Sequence, residues 1–171
     1  SVLSVQALHG NTDGAYSALW QHIFGVDLVG KIQAEWRRTD EPLYAMLADP
    51  RRLVRRPSDT LWVRIMDTVQ ALEARRYRTA GALVIELRDD FCPWNGGRYV
   101  IEGGPDGARC SHTTKTADLT MTVNELGALY LGGMRAHQLA RAGRIEGVAQ
   151  AIAAADAMFA WDPQPWAPEI W

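Results

Sequence analysis

Between Val2 and Leu8 apolar and polar residues alternate, the period of a strand. From Tyr16 the spacing changes. Tyr16, Leu19, Trp20, Ile23 and Phe24 recur on one helical face, behind N-cap oxygens at Asn11, Thr12 and Asp13 and before a stop at Gly25. Residues 28–36, with Leu28, Val29, Ile32 and Trp36, read as a second strand, and Asp40-Glu41-Pro42 opens a short helix through Leu43, Met46 and Leu47. Residues 1–50 therefore predict strand, helix, strand and short helix, too little to close a core alone. This is half a domain.

A turn at Pro57-Ser58-Asp59 feeds an expected strand over residues 60–66. Asp67 with Gln70 resembles a capping box for a helix through Val69, Leu72 and Tyr77. Three alternating strands follow, in which Leu83, Ile85 and Leu87, then Tyr99 and Ile101, then Leu119, Met121 and Val123 share faces. Gly103-Gly104-Pro105-Asp106-Gly107 is a hairpin turn, with a short strand near residues 109–112. Asn124 is expected to cap a helix through Leu126, Leu129 and Tyr130, ended by Gly132-Gly133; two more helices span about 135–142 and 147–160. Helix, sheet, then three helices predict an α+β domain over about residues 60–160.

Composition adds limits. With 47% hydrophobic and 22% charged residues in 171, the chain is globular, not disordered or coiled coil. A net charge of −2 argues against a dedicated nucleic-acid binder. The one basic cluster, Arg51, Arg52, Arg55 and Arg56, reads as a solvated loop, with a phosphate patch as the alternative. No apolar run reaches the ~18 residues of a membrane span. Two cysteines in a chain this long point to a reduced, cytoplasmic setting. The start Ser1-Val2-Leu3-Ser4-Val5 lacks Met, a charged leader and a cleavage site, and predicts a truncated or processed piece of a longer protein.

Chemistry-bearing motifs are sparse. Cys110 and His112, with Cys92 and Asp118 nearby, fall short of the four closely spaced ligands zinc takes, so no metal site is expected. Catalytic Cys–His chemistry has no orienting partner, and His9, His22 and His137 stand alone as packing or surface residues. Residues 144–149, Arg-Ile-Glu-Gly-Val-Ala, fit the acetyl-CoA pyrophosphate loop pattern, whose backbone N–H groups receive phosphate at a helix N-terminus. They follow a helix rather than an apolar strand, so the match is read as fortuitous. The tail, residues 161–171, carries three prolines that pre-stiffen it, and Trp166, Ile170 and Trp171 that favour burial. It packs on its own domain, or inserts into a pocket of a missing domain or a neighbouring subunit.

Residues 59–67 (Asp-Thr-Leu-Trp-Val-Arg-Ile-Met-Asp) and 71–75 (Ala-Leu-Glu-Ala-Arg) resemble signatures of the Eis (enhanced intracellular survival) acetyltransferases. So do residues 126–133, the Leu139-Ala140-x-Ala142-Gly143 segment, residues 155–159 and the terminal aromatic, in the same order. The resemblance covers essentially the whole chain. It implies that residues 1–58 are the end of a second, degenerate GNAT domain, a partial α/β segment. Residues 59–171 would form a sterol-carrier-protein-2-like domain, a mixed sheet covered by helices, with a docking tail at 161–171.

The resemblance further implies an amine N-acetyltransferase acting on aminoglycosides or polyamines and assembling as a hexamer. Acetyl-CoA would be bound by a domain absent from this chain, with no cofactor-binding residue and no metal here. In the family the C-terminal carboxylate reaches the active site, which maps to Trp171. An acidic residue near the end lines the pocket, which points to Glu169, although the family places it next to the end and Ile170 intervenes here. Ile170 and Trp166 complete the expected substrate wall. Partners would be a small amine, the rest of the full-length chain and further copies of it. A lipid- or sterol-binding module without catalysis is the competing reading, and an oligomerisation domain the third.

Overall fold

The computed structural model describes residues 1–167. They divide into two units, Ser1–Leu61 with Trp166 and Ala167, and Trp62–Pro165.

In the first unit β1 (Val2–Val5) and β2 (Lys31–Ala34) pair in parallel, with Val2 opposite Lys31 and Val5 opposite Ala34. Parallel neighbours need a crossover, and α1 (Asp13–Phe24) supplies it. Thr12 is the N-cap, its Oγ1 accepting from the Ala15 N–H at 3.1 Å. A short α2 (Leu43–Met46) follows. Val5, Leu8, Trp20 and Leu43 form the small core. The second strand is shorter than the expected 28–36. Leu28 and Trp36 sit at φ 62° and 55°, left-handed backbone that cannot continue a strand. The first likewise stops at Val5, short of the expected Leu8.

The second unit runs α3 (Thr68–Ala74), β3 (Gly81–Arg88), β4 (Gly97–Gly104), β5 (Gly107–His112), β6 (Leu119–Thr122), α4 (Val123–Tyr130), α5 (Ala136–Arg141), β7 (Glu146–Gly147) and α6 (Ala149–Phe159). Its sheet order is β5-β4-β3-β6-β7, parallel between β3 and β6 and antiparallel elsewhere. Alternation places Leu83, Ile85, Leu87, Tyr99, Ile101, Leu119 and Met121 in the core, where Leu72, Leu126, Leu129, Met158 and Phe159 of the helices cover them. The opposite face carries polar pairs, Glu86 with Arg98 at 3.0 Å and Glu102 opposite Arg109. This is an α+β domain, a mixed sheet with helices packed on its apolar face.

The expected strand over residues 60–66 does not form. Its alternation is real, since Ile65 is buried and Val63 packs on the core while Trp62 is 83% exposed. The Ile65 carbonyl, however, accepts from the Asn95 side chain at 3.0 Å, and the Val63 carbonyl lies over Gly127, where a Cβ would meet it at 2.9 Å. The segment is an irregular strap held by a side chain and by α4. Thr122, not Asn124, caps α4: its backbone N–H reaches Glu125 Oε2 at 2.9 Å and its hydroxyl serves the first turn in a capping box. The helix expected to run to Tyr77 stops at Ala74, and Tyr77 lies fully buried beyond it, its OH donating to the Leu72 carbonyl at 3.0 Å. β7 was not anticipated; two residues carry no period.

Candidate functional site

Of the four tail residues singled out, only Trp166 lies among the described residues. Glu169, Ile170 and Trp171 lie outside them, and the terminal carboxylate with them. Trp166 is half-buried, and its indole faces the His9 imidazole at a centroid distance of 6.4 Å, tilted by 32°.

The departure of the chain from α6 is built with care. The Arg75 guanidinium donates to the Tyr130 carbonyl at 2.6 Å and the Phe159 carbonyl at 3.1 Å, near the C-terminal ends of α4 and α6, where unsatisfied carbonyls favour a cation. It also stacks on Tyr77 and Phe159, each at 4.6 Å to the ring centroid. Burial lowers its affinity for its proton, while the neighbouring Tyr77 and Tyr130 raise it. Gly132, at φ 82°, lets the chain pass: a Cβ there would meet the Phe159 carbonyl at 2.8 Å and Trp161 at 2.7 Å.

A second polar constellation ties the strap to the end of β3. Asp89, whose side chain is 1% exposed, accepts from Arg64 Nη2 at 2.7 Å, Cys92 N–H at 2.9 Å, Phe91 N–H at 3.2 Å and Asn95 Nδ2 at 3.1 Å. Asn95 Oδ1 in turn accepts from Thr68 N–H at 2.9 Å and Oγ1 at 2.6 Å. Burial alone would raise the Asp89 carboxyl, but the Cys92 N–H, the Asn95 amide and Arg64 together hold it below the usual carboxylate range. Every group is satisfied, so the network is architectural.

Residues 144–149 are not free to cradle a pyrophosphate as a loop. Glu146 and Gly147 are β7, paired with Thr120 and Leu119. A Cβ at Gly147 would meet the Asp118 carbonyl at 2.5 Å. Arg144 is anchored to the buried Glu125 through Nε, 2.8 Å from Oε1, and through Nη2. Burial again opposes ionisation of Glu125, and the Thr122 hydroxyl and Arg144 outweigh it, so the carboxyl sits below its ordinary range.

Cys110, His112, Cys92 and Asp118 do not converge. Cys110 is in the core, His112 packs on Tyr99 at 4.5 Å, Cys92 is buried beside Asp89, and Asp118 accepts from the Val84 N–H at 2.8 Å. Among the described residues no group of three His, Cys, Asp or Glu is arranged around a metal. Arg51, Arg52, Arg55 and Arg56 are exposed, with Arg55 donating to the Thr39 carbonyl. His137 is not alone: its Nδ1 pairs with Asp156 at 2.5 Å, bracing α5 on α6. Sequence reasoning quoted Arg75 inside a signature but missed its role, and nothing in the pattern marked Asn95 as a hub. No described helix is long and apolar enough to cross a membrane.

Residues 1–65 match an acetyltransferase (GNAT) domain model, and residues 68–168 match a sterol carrier protein domain model. An uncharacterized N-acetyltransferase of Streptomyces coelicolor is 41% identical over 94% of this chain and 39% of its own length. The N-acetyltransferase Eis of Mycobacterium tuberculosis is 38% identical over 92% of this chain and 39% of its own length. The crystal structure of Eis1 from Mycobacterium abscessus superimposes with a TM-score of 0.85 at 36% identity, covering 99% of this chain and 43% of that one. The chain thus spans about two fifths of the length of these relatives. With a GNAT-type segment leading into a sterol-carrier-type sheet in the same order, it belongs to the Eis-like family of GNAT N-acetyltransferases that carry a sterol carrier protein domain.

Proposed function

We propose that this chain is the C-terminal portion of an acetyl-CoA-dependent amine N-acetyltransferase, acting in the cytoplasm as a homo-oligomer, a hexamer by family resemblance. The observation that carries the reading is the order of the two family matches within a stretch that spans 39% of its enzyme-named relatives. The small core of the first unit supports reading it as half a domain. Among the described residues its core has four buried residues, while Leu28 is 95%, Val54 76% and Leu61 56% exposed.

In this reading acetyl-CoA is held by the part of the protein outside this chain. The tail brings Trp166, Glu169, Ile170 and the Trp171 carboxylate to an aminoglycoside- or polyamine-type substrate. A carboxylate suits that place because it attracts a cationic amine and accepts its proton, directly or through water. Acetyl-CoA, when bound, would supply the acetyl group to the amine nitrogen. Removing Ile170 and Trp171 from the longer enzyme tests this. Turnover is expected to fall by at least about a hundredfold, the lower range for loss of a general base; unchanged turnover sinks it.

The sterol-carrier match favours a second reading, a lipid- or sterol-binding module. An open groove of about 310 Å³, lined by Ala82, Leu83, Val148, Ala151 and Ala154 together with the polar Asp118 and Gln150, is at the small end of the ~300–1,000 Å³ typical of ligand sites. Saturable binding of a fluorescent sterol to the chain would favour this reading over the first.

A further inference from the structure

The polar cleft between β3, β6, α4 and the α5–β7 connection has no role in either reading. Its volume is about 220 Å³, and Arg88, Thr120, Thr122, Glu125, Arg144 and Glu146 line it. Arg88 and Thr120 lie on neighbouring strands on the polar face of the sheet, β3 and β6 being in parallel register with Glu86 opposite Thr120 and Arg88 opposite Thr122. Among the described residues neither the Arg88 guanidinium nor the Thr120 hydroxyl has a hydrogen-bond or ionic partner. Arg144 is different in kind: Nε and Nη2 are engaged by the buried Glu125, which fixes the side chain and leaves Nη1 without a partner. Glu125 is neutralised by that contact, and the Thr122 hydroxyl is turned to it as well. The pair neutralises Arg144 equally, so what remains facing the cleft is the Arg88 guanidinium, the unpaired Arg144 Nη1 donor and one hydroxyl against the exposed carboxylate of Glu146.

We infer that this cleft binds a phosphoryl group, with Arg88, Arg144 Nη1 and Thr120 as its donors. The Arg88 fork is free to bind phosphate through paired charge-assisted hydrogen bonds, and Arg144, whose own fork is held by Glu125, adds its Nη1 donor. Donors from two strands and a connecting loop suit a tetrahedral oxyanion, whose oxygens diverge, better than a planar carboxylate. The pre-anchored Arg144 loses little side-chain freedom on binding. Glu146 opposes the ligand's charge and sets the affinity low.

The test is a titration of the 171-residue chain with inorganic phosphate at constant ionic strength and pH, followed by NMR of the arginine Nε–H and threonine signals. Saturable shifts at Arg88, Arg144 and Thr120 are expected, weakened about tenfold or more by Arg88→Gln and tightened severalfold by Glu146→Gln. Backbone amide spectra of both variants verify the fold. Acetate at equal concentration is expected to shift these signals less. Glycerol 3-phosphate and vesicles containing phosphatidic acid then separate a soluble phosphomonoester from a lipid headgroup. Absence of saturation, an undiminished response in Arg88→Gln, or acetate acting as strongly as phosphate overturns the assignment.

Discussion

Arg75 meets Phe159 twice: its guanidinium carbon lies 4.6 Å from the ring centroid, and Nη2 donates to the Phe159 carbonyl at 3.1 Å. The same group reaches the Tyr130 carbonyl, so one cation closes the ends of two helices at the point where the tail begins. Arg75→Ala is expected to lower stability by about 2–4 kcal/mol, because two part-buried carbonyls lose a charged donor and the rings of Tyr77, Tyr130 and Phe159 lose a cation. Arg75→Lys keeps the charge but not the fork, and should recover less than half of the loss. Urea unfolding of the three proteins measures it. A loss under about 0.5 kcal/mol for the alanine variant would remove Arg75 from this role.

Acid sensitivity follows from Asp89 and Glu125, both held below the ordinary carboxylate range in the folded chain. The unfolded chain takes up these protons first, so their contribution is complete above about pH 5 and is lost as pH falls through the folded values. Denaturation midpoints at a series of pH values should decline below about pH 5. Asp89→Asn should be less stable at pH 7 and show a shallower acid slope, since one of the two groups no longer titrates.

Neither cysteine should be reactive. Burial pushes the Cys110 thiol up to about 11, and the Glu73 and Asp67 carboxylates add to it; Cys92 is 1% exposed. A thiol reagent at pH 8 should label less than about a tenth of either site in the folded chain and both after denaturation. Rapid native labelling of Cys110 would contradict the packing described.

Gly103→Ala should cost about 1–3 kcal/mol, the range for overpacking a filled core. A Cβ there would sit 2.5 Å from the Tyr77 ring, which the Leu72 carbonyl holds in place. Thermal unfolding of the variant reads this directly.

Where one face of an element is buried, the apolar period exposed the fold in advance: Leu83, Ile85 and Leu87 on β3, Tyr99 and Ile101 on β4, Leu126 and Leu129 on α4. Residues 60–66 misled because a strap lying on a core alternates as a strand does; what decides is where its carbonyls go, and Asn95 is remote in sequence. The second strand was overextended because periodicity is blind to the left-handed backbone at Leu28 and Trp36. Trp166 was legible as an apolar residue in a proline-stiffened tail. Arg88, Thr120 and Arg144 were not legible as one cleft, because sheet register joins residues that sequence spacing keeps apart.

The central claim is that this chain carries the amine-side wall and tail of an acetyltransferase whose cofactor is held elsewhere in the protein. Isothermal titration of acetyl-CoA into the isolated chain tests it most directly. The account predicts no saturable heat with acetyl-CoA in the micromolar range. Saturable micromolar binding that is lost on substitution within residues 145–149 but kept in Arg88→Gln, and so does not come from the phosphoryl cleft, would contradict it and put a cofactor site in this chain.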